Sequence, residues 1–209
     1  MKKIATSMAV LFAVVMVAGV VGADQQMFRN YSADMETTTP QGTFASKILY
    51  KDTKIRMESE NRGQSSINII RPDKKVMWMV MPEQKSYMEM SLDMSKQDVM
   101  SKLQDPNIKT EKEFIANETV DKHPAKKYHL TIMKDGRKEK SGYIWEAADL
   151  NNFPVKYESE DKNTSTVWKN IKTGGVSDEV FDAPAGYKKM NMPGMPDMGG
   201  AAPRKKRSE

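Results

Sequence analysis

The sequence predicts a mainly β protein: a curved antiparallel sheet forming an unclosed half-barrel with a short helical lid. Three observations lead there. Short segments alternate between apolar and polar residues and are divided by tight turns, the signature of a β meander. One stretch alone, between Ser91 and Gln104, changes to a helical spacing. The chain also contains no cysteine, so a packed core has to hold the fold without disulfides or thiolate-bound metal.

The alternation begins at Lys47–Lys51, where Ile48 and Tyr50 stand between Lys47, Leu49 and Lys51. Asp52-Thr53 turns the chain into Ile55 and Met57, set among Lys54, Arg56 and Glu58. Asn61-Arg62-Gly63 breaks that run, and Ile67 to Ile70 forms the next strand. Pro72-Asp73-Lys74-Lys75 is a turn in which proline presets φ. Val76 to Met81 follows and is apolar on both faces, then Pro82-Glu83-Gln84 turns back into Ser86 to Met90. Tight connections of this kind imply antiparallel neighbours.

The helical stretch places Leu92, Val99, Met100 and Leu103 on one side. Ser95 followed by Asp98 resembles a capping box, and Asp105-Pro106 ends the run. Strands resume at Phe114 to Val120. After the Asp121-Lys122-His123-Pro124 turn, Tyr128, Leu130 and Ile132 face opposite Lys127, His129 and Thr131. Lys134-Asp135-Gly136-Arg137 is a hairpin signal. Gly142 to Glu146 is a strand and Ala147 to Pro154 a loop. Val155 to Glu160 and Thr164 to Ile171 make a hairpin, and Val176 to Phe181 reads as one more strand. A sheet this long has to curl, because many flat strands would expose their edges.

The ends of the chain differ from its body. Lys2 and Lys3 precede an uncharged apolar run from Met8 to Val21, which closes on Val21-Gly22-Ala23 before Asp24. This is the layout of a cleavable secretory signal over residues 1–23. The run is shorter than the ~20 residues that cross a bilayer comfortably. The expected location is therefore the periplasm, as a soluble protein. Residues 191–209 read as a disordered Met/Pro/Gly-rich tail with a basic end, too poor in apolar surface to offset chain entropy. The domain proper is 24–190.

The formal charge of +5 belongs to those ends. Between Asp24 and Pro203 there remain 27 basic and 27 acidic side chains. A neutral body excludes a nucleic-acid partner.

Chemistry-bearing residues are few. The sequence nominates no nucleophile and no general base, so the expectation is a binding protein without cofactor, not an enzyme. His123 and His129 have no second histidine at ligand spacing and read as solvated. The candidate ligand-binding set is Met77, Trp78, Met79, Met81, Met88, Met90 and Trp145, because methionine's flexible thioether suits surfaces that accept varied apolar ligands. Ordinary core packing is the competing explanation for each of them. A second candidate is copper handling by Met192, Met195 and Met198 in the tail, since thioethers favour Cu(I). The basic end offers a third contact, with an anionic membrane surface.

Several stretches together resemble a known family. They are Lys47-Ile48-Leu49-Tyr50-Lys51 with Lys54-Ile55-Arg56-Met57-Glu58, Ile70 to Trp78, Met81 to Glu89, Asp149-Leu150 with Phe153-Pro154, and Val180-Phe181-Asp182-Ala183-Pro184-Ala185-Gly186-Tyr187. The chain resembles a bacterial periplasmic family of unknown function, related to the outer-membrane lipoprotein-sorting proteins of LolA/LolB-like fold. The resemblance implies an unclosed barrel with a helical lid and an apolar cavity for acyl chains. The partner it implies is a lipid, the acyl chain of an envelope lipoprotein or another apolar ligand.

Overall fold

A computed structural model describes residues 29–61, 63–92, 109–134 and 137–190. The expected signal segment, the expected helical lid from residue 93 onward and the Met-rich tail lie outside the described residues.

Among the described residues, twelve strands form one sheet. They are β1 (Asn30–Thr39), β2 (Gly42–Lys51), β3 (Lys54–Asn61), β4 (Gln64–Arg71), β5 (Val76–Met81) and β6 (Ser86–Ser91). The second half supplies β7 (Lys109–Val120), β8 (His123–Lys134), β9 (Arg137–Ala147), β10 (Phe153–Ser159), β11 (Ser165–Thr173) and the short β12 (Lys188–Met190). The spatial order is β12-β6-β5-β4-β3-β2-β1-β11-β10-β9-β8-β7, so the sheet has two ends and does not close into a barrel. All neighbours are antiparallel except β12, which runs parallel to β6.

Two meanders, β2–β6 and β7–β11, are joined side by side through β1. That strand pairs with β2 along its whole length and with β11 across a bulge between Ser32 and Asp34. The sequence reading starts the meander at Lys47 and does not include β1. Its own alternation is nonetheless clean: Ala33, Met35 and Thr37 are buried, while Asp34, Glu36 and Thr38 are exposed. Where β9 meets β10, Gly142 stands opposite Ser159 at φ 137°, and a Cβ there would collide with the Glu158 carbonyl.

Register fixes which side chains share a face, because successive side chains of a strand point to opposite sides. Across β1–β6 one row reads Ala33, Ile48, Met57, Asn68, Met79, Met88. The next row reads Tyr31, Tyr50, Ile55, Ile70, Met77, Met90. This inner face of β1–β6 carries no charged residue. Asp34, Glu36, Lys47, Lys51, Lys54, Arg56, Glu58, Glu60, Arg71 and Glu89 all fall on the other side.

The outer face is covered by the chain's own C-terminal segment. Val176 to Phe181 is not a strand: it ends in a 3-10 turn at Asp178–Phe181, with the Ser177 hydroxyl accepting from the Glu179 N–H. Phe181 is fully buried there with Val176 against Ile69, Trp78 and Val80. Asn30 anchors the start of this strap, its Oδ1 accepting from the Val176 N–H at 3.1 Å. β12 anchors its end, helped by a Lys188 N–H to Lys85 carbonyl bond of 2.9 Å.

Arg71, 8 % exposed, is the centre of the attachment. It clamps Asp73 through two bonds of 2.9 and 2.7 Å, and donates to the Phe181 carbonyl at 3.1 Å and Asp182 at 2.7 Å. Arg56 donates to the Val180 carbonyl at 3.0 Å, and Lys51 and Lys54 both pair with Asp178. The planar guanidinium suits this forked task as a lysine would not. Its hydrogen bonds hold the Asp73 carboxyl down at about 2, and the Lys74 and Arg71 partners lower Asp182 too.

Arg71→Leu leaves Asp73 and the Phe181 carbonyl without their side-chain donor, and Asp182 with Lys74 alone. The carboxylates are about half exposed, so we expect a loss below that of a fully buried pair, about 2 kcal/mol in urea unfolding. A depressed carboxylate contributes stability that is complete above its unfolded value of about 3.9 and disappears as pH falls through about 2. Asp73→Asn therefore flattens the fall of unfolding free energy between about pH 4 and 2, measured by denaturant titration at each pH.

Candidate apolar binding face

The inner face of β1–β6 is the site the fold builds. Met77, Met79, Met88 and Met90 stand on it as two cross-strand pairs, Met77 with Met90 and Met79 with Met88. Met81 continues the same side of β5, paired with Ser86. All five methionines are half-buried, whereas Met35 and Met57 deeper on the face are sealed in the core. Ile55, Ile70 and the buried Leu92 belong to one core cluster with Met35 and Met57, and Met77 packs against it.

Tyrosines close one end of this surface. Tyr31 stacks on Tyr50 with ring centroids 5.4 Å apart, and meets Phe153 edge-on at 5.1 Å. Tyr31 and Phe153 belong to strands separated by β11, so the sheet curls toward this face. Burial, reinforced by the neighbouring Tyr50, raises the Tyr31 hydroxyl well above its ordinary value; burial also raises Tyr50. Both phenols stay neutral, in keeping with the uncharged face around them.

The structure divides the residues nominated from sequence. Met77, Met79, Met81, Met88 and Met90 come together. Trp78 does not join them: it is on the outer face, buried in the Phe181 cluster with its Nε1–H donated to Glu89 at 2.9 Å. A strand buried on both sides made either face eligible, and alternation puts Trp78 opposite the methionines. Trp145 is also elsewhere. Its indole lies under the ammonium groups of Lys127 and Lys156, 4.7 and 4.2 Å from the ring centroid, and donates to Glu118 at 2.7 Å. That bond is the main cause lowering the Glu118 carboxyl.

The second wing differs in kind. Glu146, 5 % exposed, takes a 2.7 Å ion pair from Lys112, which also lies over the Tyr128 ring. The histidines are not free in solvent either. His123 Nδ1 lies 2.8 Å from Asp149, and His129 Nε2 lies 2.8 Å from Glu160. Among the described residues no group of three or more His, Cys, Asp or Glu is placed to hold a metal. Met192, Met195 and Met198 lie outside the described residues. Among the described residues, no helix is long and apolar enough to cross a membrane.

A family model described as a domain of unknown function, DUF4412, matches residues 32–152. No curated protein matches the sequence. Among solved structures, an uncharacterized conserved protein from Thermus thermophilus is similar with a TM-score of 0.53 at 8 % identity, over 88 % of this chain and 98 % of that one. The chain is also similar to the Pseudomonas aeruginosa MucA/MucB complex structure, with a TM-score of 0.42 at 11 % identity over 88 % and 64 %. A LolA superfamily protein from Nitrosomonas europaea gives 0.36 at 12 % identity over 82 % and 96 %. The first of these likenesses shows a shared fold.

Trp145→Phe removes the partner of Glu118 while keeping an aromatic body. It should lower stability by about 1 kcal/mol and leave the affinity for a neutral apolar dye unchanged, as read by thermal unfolding and dye titration.

Proposed function

The chain belongs to the DUF4412 family of domains of unknown function, and we propose that it is a non-enzymatic periplasmic binding or carrier protein for a lipid, lipoprotein acyl chain or other apolar ligand. The observation that carries this reading is the segregation of charge. Every charged residue of β1–β6 lies on the outer side, where Lys51, Lys54, Arg56 and Arg71 bind the C-terminal strap, while the inner side presents half-buried methionines.

A core needs packing, and the buried Ile48, Ile55, Met57 and Ile70 supply it. The four paired methionines go beyond that need. Unbranched thioether side chains adapt to acyl chains of different length and branching at little rotamer cost. An acyl chain lying along such a surface gains on the order of 0.8 kcal/mol per buried CH₂.

The same reading includes export. Residues 1–23 act as a signal cleaved after Ala23, and the mature protein begins at Asp24 in the periplasm. The likenesses to the MucA/MucB complex and to the LolA superfamily protein are too distant to bear on ligand choice, so the proposal stands on the face itself.

Native mass spectrometry of protein recovered from the periplasm should show a lipid adduct on a chain that starts at Asp24. Met79→Asp puts a carboxylate in the centre of the uncharged face. It should weaken binding of the neutral dye N-phenylnaphthylamine by at least about tenfold, since a buried unpaired charge costs well over 1.4 kcal/mol. Glu36→Gln, on the outer face, should not change it. Unaltered dye affinity in Met79→Asp, with no adduct on the native protein, overturns the proposal.

A further inference from the structure

The inner face is uncharged but not wholly apolar, and its polar groups are organised. Hydroxyls on it satisfy one another across strands. Thr37 and Thr166, both fully buried, bond at 3.0 Å, and Ser59 bonds Ser66 at 2.9 Å. Ser46 stands next to Ser59 in register, so Ser46, Ser59 and Ser66 form one row across β2, β3 and β4. Met81 follows on β5, one position beyond the Ile67–Val80 pair, and Ser86 faces Met81 on β6. A serine stripe therefore crosses the wing beside the methionine pairs, at about 4.8 Å per strand.

Two members of the stripe have no partner. The Ser46 and Ser86 hydroxyl oxygens are buried and make no hydrogen bond, and Ser86 is only 3 % exposed. They are the sole buried side-chain polar atoms in that condition among the described residues. A buried hydroxyl left unpaired costs about 1–3 kcal/mol. Threonine or serine partners solve this problem elsewhere on the same face, yet Met35 stands opposite Ser46 and Met81 opposite Ser86.

We infer that the inner face takes a neutral amphiphile, an acyl ester or long-chain alcohol whose uncharged polar group lies at the Ser86 end of the serine stripe, beside Met81 and Met88, while its chain lies on Met77, Met79, Met88 and Met90. This rests on the apolar-ligand reading and adds the class of polar group. A pure hydrocarbon would leave the Ser86 hydroxyl unsatisfied. A fatty-acid carboxylate or phosphate would meet no cation on the inner side of β1–β6, and Lys112, on the same side of the sheet in β7, is already paired with Glu146; the anion would have to shed its hydration without a free counter-charge. An ester carbonyl or an alcohol accepts from a serine hydroxyl and brings no charge. Asn68, between Met57 and Met79 in register, offers a further amide donor and acceptor on the same surface.

The test uses the mature chain with N-phenylnaphthylamine as reporter and two C16 competitors at neutral pH, 1-monopalmitoylglycerol and palmitate. The monoacylglycerol should displace the dye at a concentration at least about tenfold lower than palmitate. Ser46→Ala combined with Ser86→Ala should raise the monoacylglycerol concentration needed by about tenfold, while dye affinity stays the same. The double variant should also unfold at the same or higher urea concentration, because it removes two unpaired groups. Equal potency of the two competitors, or a double variant that binds monoacylglycerol as the parent does, overturns the inference while leaving the apolar face intact. A double variant less stable than the parent shows the hydroxyls already satisfied and overturns it too. Failure of the dye to bind at all removes the parent reading with it.

Discussion

The structure depends on a single constraint, the two-residue period of the β-strand applied to charge. In β1–β6 every charged side chain occupies one phase of the alternation and none occupies the other. A slip of one residue in any pairing would move Lys47, Arg56 or Glu58 into the core and Ile48 or Met57 onto the surface. Register is thereby fixed by desolvation, because the cost of burying one unpaired charge is comparable with the whole net stability of a domain. The same segregation that holds the register creates the uncharged inner surface. Fold specification and candidate site have one cause.

The C-terminal strap resolves a problem this arrangement creates. β4 and β5 are apolar on both sides, so their outer face needs a cover as well as their inner one. Phe181 and Val176 provide apolar cover, and Arg71, Arg56, Lys51 and Lys54 hold the strap by ion pairs and by bonds to its backbone carbonyls. Charge on the outer face is thus employed as attachment instead of being merely solvated. With the outer side of β4 and β5 covered by the protein's own chain, the inner side is the one the proposed ligand would use. A wing stiffened from behind also keeps the methionine rows in register, leaving side-chain rotamers as the adaptable part.

Much of this was legible in the sequence. The meander from Lys47 to Met90 and the strands around Tyr128, Tyr143 and Thr164–Ile171 follow from alternation and turn chemistry, and they appear at those places. The methionine face was legible for the same reason. β1 is harder to read because Asn30, Asp34 and Glu36 weaken the local signal of Tyr31 and Thr37–Thr39, and its stability comes from β2 and β11 on either side. The strap reads as a strand because it follows a run of strands and carries Val176, Val180 and Phe181, whereas its conformation is set by docking onto the outer face. Residue type alone groups Trp78 and Trp145 with the methionines. Their surroundings, a carboxylate acceptor for each indole and two lysines over Trp145, come from partners distant in sequence. The serine stripe was invisible for a similar reason, since only register aligns Ser46, Ser59, Ser66 and Ser86.

Methionine oxidation by peroxide, followed residue by residue by peptide mass spectrometry, tests the central claim most directly, because each thioether reports its own exposure. Met133 on β8 of the other wing is the internal control. With saturating monopalmitoylglycerol, the account predicts slower oxidation of Met77, Met79, Met88 and Met90, with Met133 unchanged. Equal rates with and without the ligand, or protection of Met133 in place of the four, would contradict the assignment of the inner face of β1–β6 as the binding surface.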